Sequence, residues 1–416
     1  MHVVQVNHLH RPSLGGLENY SHRLAESLRA GGHAVDVVTT DMSLANDRSP
    51  LGPESGVTYC KTTATVMRNP LSLELFRVVR QHDADVYHLH SPWYLSSLAA
   101  TLALPKDAPT VMTIHGFQPL GGLVAKAVEF AYHPFAQFIF DRMDRIIVLG
   151  AAEKRRLLRE YRVPEEKVVV IPNGIHPDEH DVPESAVEAF RDTHGIDPSR
   201  PTILFVGRLV ELKNPDVLVD TVVDELADLD VNVVVVGHGE ESFVADLQAR
   251  ADDRFHFLSN LPFEELQAAY HASDVFVSLS RSEGLPTVVL EAMNARLPVV
   301  TTPAGALEDV IQDGVHGAVL DIPPSRAQLA TALRRYVEDE ALRTTVGERN
   351  RAYVRDQFDW DVVAADIVSL YEAVLDDGHR PPVEDRQPTL EHVEDATHGD
   401  APLSDGGVDV SSNRSD

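Results

Sequence analysis

Short runs of β-branched and other apolar residues punctuate the chain, and between them apolar residues recur every three or four positions. Strands are expected at Val3–Val6, Ala34–Thr39, Val86–Leu89, Thr110–Ile114, Arg145–Leu149 and Val168–Ile171. A second set is expected at Thr202–Val206, Val231–Val236, Arg254–Leu258, Val275–Ser278, Pro298–Thr301 and Gly317–Leu320. Most of these runs lack polar/apolar alternation, and Val231–Val236 is apolar almost throughout. Strands buried on both faces read this way, which predicts parallel sheets covered by helices. Helical spacing fills the intervals, as at Leu17–Ala30 and Pro215–Leu226. Strand–helix alternation of this kind predicts a doubly wound α/β fold.

Length divides the pattern in two. At about 100–200 residues per domain, 416 residues suggest two domains. The seam falls in the stretch Pro177–Pro183, crowded with His, Pro, Asp and Glu. The expected units are 1–178, 184–357, a closing helix at 358–376 and an acidic tail at 378–416. The closing helix carries Trp360, Val363, Ile367, Leu370, Tyr371 and Val374 at helical spacing. The tail has few large apolar groups and is expected to lack fixed structure.

Composition narrows the classes. The single cysteine, Cys60, excludes a disulfide scaffold and a cysteine-based zinc cluster. No apolar run is long enough to span a bilayer, and Met1–Val6 reads as a strand rather than a signal peptide. A cytoplasmic protein is expected. The formal net charge of −29 disfavours nucleic acid and anionic lipid as general partners. Only six of the 36 basic residues are lysines, and the tail accounts for just six of the excess negative charges. An acidic, lysine-poor surface of this kind points to a halophilic microbe, where molar salt screens self-repulsion.

Candidate chemistry lies just after strands, where open α/β sheets bind ligands. After the first strand, Gly15-Gly16 opens a helix; this is a simple tight turn or an anion site. After the first strand of the second set come Arg208 and Lys213, two cations suited to phosphate oxygens or to local ion pairs. Gly237-His238-Gly239 again offers close backbone approach after a strand. Glu283 precedes a turn and a helix, with Glu291 eight residues on, about two helical turns away. Two carboxylates on one side can accept bonds from several hydroxyls. Glu291 sits in an otherwise apolar stretch, Val288–Met293, and therefore needs a partner. Phe117–Phe140 is apolar and aromatic, and Lys154–Arg162 is a basic amphipathic helix; together, 117–162 form either a peripheral membrane contact or an ordinary surface.

Taken together these residues resemble the retaining family-4 glycosyltransferases of the GT-B fold, whose hallmark is Glu, seven residues, Glu. The resemblance runs from Gly15-Gly16 through Asp85–Ser91, Thr113–Gly116, Ile171–Ile175, Gly207–Lys213 and Glu283–Glu291 to the helix ending near Leu375. It implies two Rossmann-like domains facing across a cleft, with the C-terminal helix crossing back. It also implies a donor, a nucleotide-diphosphate sugar (UDP- or GDP-linked), and a glycan or lipid-linked acceptor in surface polysaccharide or glycoprotein assembly. Arg208 and Lys213 would clamp the diphosphate, Glu283 would hold sugar hydroxyls, and Glu291 the ribose. Gly284 would belong to the same donor-binding loop; backbone N–H groups of Leu285, Thr287 and Val288 would assist, and Pro286 has none to give. Gly15 and Gly16 would approach the diphosphate from the other domain, and His115 would sit near the sugar's 6-hydroxyl. His88 and His90 would line the acceptor side or belong to the core. No metal or further cofactor is expected. A nucleotide-sugar epimerase of the same fold, or a silent subunit binding a partner transferase, remain the alternatives.

Overall fold

A computed structural model describes residues 1–11, 15–42, 55–66, 69–117, 123–376 and 385–386. The strands are β1 (His2–Val6), β2 (Ala34–Thr40), β3 (Val57–Cys60), β4 (Ala64–Val66), β5 (Asn69–Leu71), β6 (Val86–His90), β7 (Thr110–Ile114), β8 (Arg145–Val148) and β9 (Val168–Val170) in the first half. The second half has β10 (Thr202–Val206), β11 (Asn232–Val236), β12 (Phe255–Leu258), β13 (Val275–Ser278), β14 (Val299–Thr301) and β15 (Gly317–Val319). The helices are α1 (Gly16–Ala30), α2 (Leu73–Gln81), α3 (Leu95–Ala103), α4 (Leu123–Arg142), α5 (Ala151–Glu160), α6 (Glu184–His194) and α7 (Pro215–Glu225). They continue as α8 (Glu241–Arg250), α9 (Phe263–His271), α10 (Thr287–Asn294), α11 (Leu307–Val310), α12 (Arg326–Glu338), α13 (Glu340–Gln357) and α14 (Trp360–Leu375).

Two parallel sheets result. The first runs β3-β2-β1-β6-β7-β8-β9 and the second β12-β11-β10-β13-β14-β15. Both are wound outward from a central strand, β1 or β10, so each has one point where the strand order reverses. That point lies between β1 and β6 in one sheet and between β10 and β13 in the other. Ligands bind outside the carboxyl ends of strands at such places. The sequence reading omitted β3, β4 and β5. Strand β3 has only Cys60 fully buried and lies at a sheet edge, so it lacks the continuous apolar signature of its neighbours. The short hairpin β4–β5 lies outside both parallel sheets.

Alternate residues of β1 serve different cores. Val4 and Val6 pack with Val38, Leu89 and Ile146 on one face, whereas Val3 joins Leu24, Leu28 and Val35 on the other. The second cluster continues without a break into Leu285, Val289, Ala306 and Trp360, and so runs across the seam between the sheets. The chain enters and leaves the second half side by side: Ile175 N–H donates to Phe358 O at 2.8 Å, and Trp360 N–H to Ile175 O at 2.9 Å. Gly174 suits this crossing, because a Cβ would lie 3.1 Å from that same carbonyl and crowd it. Helix α14 then returns to α1, with Trp360 edge-on to Tyr20 at 5.1 Å.

The tail expectation for 378–416 falls outside the described residues except at Asp385 and Arg386, and these two have definite partners. Asp385 accepts from Val170 N–H at 3.0 Å and pairs with Lys154 at 2.6 Å. Arg386 N–H donates to Val170 O at 2.9 Å, and its guanidinium pairs with Asp366 on α14 at 2.9 Å. They satisfy the edge of β9, which sequence composition alone did not anticipate. Among the described residues, no helix is long and apolar enough to cross a membrane.

Candidate functional site

The second sheet supplies the charged half of the site. After β10 the chain makes a single 3-10 turn, Glu211–Lys213, and Asn214 closes it with a φ of 48°. Asn214 Nδ2 donates to Leu279 O at 2.6 Å, and Arg281 N–H to Leu212 O at 2.9 Å. These bonds tie the loop after β10 to the loop after β13. Lys213 therefore meets Glu283 in an ion pair, both side chains largely buried. The pair joins residues 70 positions apart on either side of the strand-order reversal. Arg208 stands apart: it is exposed and forms no ion pair among the described residues.

The loop of Glu283 is held from behind. Ala306 N–H donates to Gly284 O at 3.0 Å. Gly305, with φ of 63°, leaves no room for a side chain, since a Cβ would lie 2.1 Å from Glu283 O. Helix α10 starts only at Thr287, with Pro286 at its N-cap. Glu283 thus lies before the helix, as expected, and because the turn intervenes its eight-residue separation from Glu291 is not two turns of one helix. Thr287 and Val288 head α10, where the N–H groups lack intrahelical acceptors and the dipole favours an anion. Leu285 is buried, and its carbonyl accepts from Asn173 Nδ2 at 3.4 Å.

Glu291 has the partner that its apolar setting demands. Tyr270 on α9 donates its hydroxyl to Glu291 Oε2 at 2.9 Å. Burial and the neighbouring carboxylate push the tyrosine hydroxyl well above its ordinary pKa, so it remains a donor. Nothing in the sequence connects two residues 21 positions apart on different helices.

The glycines after β11 do a different job from the one expected. A Cβ on Gly237 would lie 1.9 Å from Gly207 O, and one on Gly239 would lie 2.1 Å from Leu209 O. Leu209 N–H donates to His238 O at 2.8 Å. The Gly237–Gly239 turn is thus packed against the Gly207–Leu209 turn, and its close approach is to protein rather than to ligand.

The first sheet supplies the facing half. Gly15 is the N-cap of α1, and Gly16 begins the helix with open space where a side chain would stand. Glu18 folds back over this end, so a Cβ on Gly15 would clash with its carboxylate. Burial raises the Glu18 carboxyl above its usual range and holds the neighbouring His8 down to about 3. His115 follows β7 and lies at the seam: a Cβ on Gly284 would be 3.1 Å from His115 O. Gly116, with φ of 108°, touches Gly284 backbone to backbone.

Of the two readings offered for His88 and His90, burial favours the core: both are fully buried. His88 bonds Tyr371 Oη at 2.6 Å and Thr113 Oγ1 at 2.8 Å. His90 bonds His115 Nε2 at 3.0 Å and Gln5 Oε1 at 3.0 Å. Alternation within β6 does not reveal this, because both faces of the strand are covered.

The ion pairs of the basic helix favour the ordinary-surface reading. On α5, Lys154 pairs with Asp385, Arg155 with Glu308 on the opposite domain, and Arg156 with Glu160. These cations are engaged within the molecule. The N-terminus of α5 abuts α11: Ala151 N–H donates to Asp309 Oδ2 at 2.7 Å, and a Cβ on Gly150 would lie 2.6 Å from Ala306 Cβ. Glu153, 4 % exposed, accepts from Leu149 N–H at 2.9 Å and lies behind the Gly116–Gly284 contact. Burial pushes its carboxyl up to about 7.

Two family models match the chain in tandem. Glycosyltransferase Family 4 covers residues 14–179, and Glycosyl transferases group 1 covers residues 186–353. An uncharacterised glycosyltransferase of Methanocaldococcus jannaschii is 27% identical over 380 residues, covering 87% of this chain and 95% of its own. Phosphatidyl-myo-inositol mannosyltransferase of Mycobacterium leprae is 28% identical over 374 residues, covering 88% and 95%. Among solved structures, Anabaena HepE in complex with UDP superposes with a TM-score of 0.73 at 19% identity, over 90% of this chain and all of that one. That last likeness bears on the fold.

Proposed function

Because the chain joins a family 4 domain to a group 1 domain and is a GT-B glycosyltransferase, we propose that it transfers a hexose with retention from a nucleotide-diphosphate sugar to a glycan or lipid-linked acceptor. The assignment rests chiefly on the Lys213–Glu283 pair at the strand-order reversal of the second sheet, next to Gly284, whose backbone meets His115 and Gly116 of the first. The donor is UDP- or GDP-linked: HepE was crystallised with UDP, and the mycobacterial relative is a mannosyltransferase.

The chemistry follows from leaving-group physics. Breaking the sugar–phosphate bond gathers negative charge on the diphosphate while the sugar ring becomes positive. Arg208, Lys213 and the N-terminus of α10 would stabilise the first charge, Lys213 from its largely buried position and Arg208 once the bound donor covers it. Glu283 would trade part of its bond to Lys213 for sugar hydroxyls, and Glu291, oriented by Tyr270, would hold the ribose. Gly15 and Gly16 would bring backbone N–H groups to the diphosphate from the other side. The acceptor would attack on the face the diphosphate leaves, with a diphosphate oxygen taking its proton. These groups supply the charge stabilisation without a divalent ion.

A lipid-linked acceptor, in surface polysaccharide or glycoprotein assembly, is supported by α4. Its Phe130, Phe135 and Phe138 are exposed, which is unusual for large apolar groups. Peripheral membrane contact would come through these rings rather than through the paired cations of α5. Replacing all three by Ser should abolish co-sedimentation with lipid vesicles; unchanged co-sedimentation would remove the membrane from this reading.

The deciding experiment is a thermal-shift panel in molar KCl with UDP, GDP, ADP and their common sugars, with and without EDTA. Ligand at 100 Kd stabilises the folded state by about 2.7 kcal/mol. A shift confined to one nucleotide, insensitive to EDTA and lost in Glu291→Ala, is expected. No shift with any nucleotide would favour a silent subunit.

A further inference from the structure

His115 is connected to the centre of the first sheet by a chain of three side chains. Gln5 projects from the middle of β1, opposite His88 of β6 in register. Gln5 Oε1 lies 3.0 Å from His90 Nε2, and His90 Nδ1 lies 3.0 Å from His115 Nε2. His115 Nδ1 has no partner among the described residues. The rings are packed in place: His88 stacks on His90 at 4.5 Å, His90 on His115 at 5.3 Å, and Tyr20 meets His115 edge-on at 4.6 Å. Burial holds His88 and His115 down to about 3 and His90 well below its ordinary value. All three rings are therefore neutral at working pH, and each carries a single N–H.

With one proton per ring, the hydrogen-bond pattern leaves little freedom. The Gln5 carboxamide presents its oxygen to His90 and leaves its Nε2 buried without a partner; an oxygen only accepts, so in this orientation of the amide His90 carries its proton on Nε2. Its Nδ1 is then a lone pair, which accepts from a proton on His115 Nε2. That leaves His115 Nδ1 unprotonated. We propose that Gln5, acting through His90, is a positioning residue that fixes His115 in the tautomer whose free Nδ1 accepts a hydrogen bond from a hydroxyl of the donor sugar. The inference rests on the transferase reading of the cleft. It has a chemical consequence there: a hydroxyl that donates gains electron density on its oxygen, which favours the positive ring of the transition state. The opposite tautomer would present an N–H, draw density away and oppose that charge. The same chain keeps His115 from becoming a cation beside the reacting sugar.

Histidine-selective 15N spectra of the unliganded protein, with His115 assigned by its loss in His115→Gln, read the tautomer without any substrate. The expected spectrum has an unprotonated Nδ1 and a protonated Nε2 at His115, giving way to a mixture in the near-isosteric Gln5→Met. A protonated Nδ1 in the wild type would overturn the proposal. The kinetic arm follows hydrolysis of UDP-glucose and GDP-mannose and of their 6-deoxy analogues. Gln5→Met should slow the normal donors about tenfold and leave the 6-deoxy donors at their wild-type rates. Equal losses on both would mean that Gln5 acts only on the fold, and would also overturn it. If the wild type hydrolyses neither donor, the spectrum still decides the tautomer, and the nucleotide thermal shift decides the transferase reading.

Discussion

Arg208 and Lys213 carry the same charge but stand in different electrostatic settings, so their removal should have different consequences. Arg208 is exposed and unpaired among the described residues, whereas Lys213 neutralises Glu283 in a largely buried pair. Arg208→Ala should leave the melting temperature of the unliganded protein unchanged and cost transfer alone. A charge-assisted contact contributes roughly 1.5–3 kcal/mol, which corresponds to a ten- to hundredfold loss of kcat/KM. Lys213→Ala should cost at least as much in rate and also lower the melting temperature, because it strands a carboxylate among buried neighbours. Glu283→Ala should cost about tenfold or more. The double variant should lose less than the two singles together, since each single already breaks the shared pair. Additive losses would show that the two residues do not act together. Arg208, Lys213 and Glu283 stood out in the sequence because charge after a strand is a local signal, and Glu291 because a carboxylate in an apolar stretch is one too. Sequence missed Tyr270 and Gln5, whose partners are 21 residues away and on another strand, and Glu153, whose bonded Leu149 is close in sequence but whose burial comes from the seam. It left His88 and His90 between two readings because a fully covered strand shows no alternation to separate them.

At the scale of elements, the contact of α5 with α11 governs how the two sheets meet. Gly150 has φ of −161°, extended backbone that any residue can adopt, so nothing local demands glycine there. What demands it is Ala306, only 2.6 Å from a Cβ at that position. Gly150→Val should therefore prop the seam open without disturbing the first sheet. Turnover should fall at least tenfold while the melting temperature and the nucleotide shift stay near wild type, because the second sheet holds most of the nucleotide contacts proposed here. Loss of the nucleotide shift would indicate damage beyond the seam. Glu153 makes the same junction sensitive to pH. Burial is the main cause of its shift to about 7, and the Asp309 carboxylate across the seam adds to it. The Leu149 N–H and Arg156 oppose the shift. Between an unfolded carboxyl pKa of about 4.3 and the folded value of about 7, the folded chain holds a proton that the unfolded chain has released. Stability from this group is thus fully present below about pH 4.3, falls as pH rises and levels off above about 7. At roughly 1.4 kcal/mol per unit, the loss is on the order of 3 kcal/mol. Glu153→Gln keeps an oxygen for the Leu149 N–H and removes the titration. Denaturant unfolding at pH 5 and pH 8 should show the variant gaining stability over wild type at pH 8 and almost none at pH 5. An equal gain at both would mean that the carboxyl is not the titrating group.

Across the whole molecule, the two strand sets, their parallel pairing and the returning helix were legible because buried parallel strands and a long amphipathic helix carry strong local patterns. The edges were not: β3 has one fully buried residue, and Asp385–Arg386 belong to a stretch whose composition argues against order. The charge is a global property and makes a global prediction. Surface ion pairs are abundant and arginine-based: Asp220 is shared by Arg250 and Arg326, and Asp181 by Arg351 and Arg355. Exposed pairs contribute about 0–1 kcal/mol each and weaken in salt. The net charge of −29 leaves many carboxylates with no cation to pair with, and their mutual repulsion also weakens in salt. The Debye length falls from about 10 Å at 0.1 M to about 3 Å at 1 M. Repulsion among carboxylates spaced beyond contact is then suppressed more than pairs in contact are. The melting temperature should therefore climb by several degrees between 0.1 and 2 M KCl, and the climb should shrink when pH is lowered toward the carboxylate range. A flat or falling curve would mean that the ion pairs dominate and that the acidic surface reflects no adaptation to salt. A climb of the same size at low pH, where the carboxylates are neutral, would assign it to salt acting on apolar burial instead.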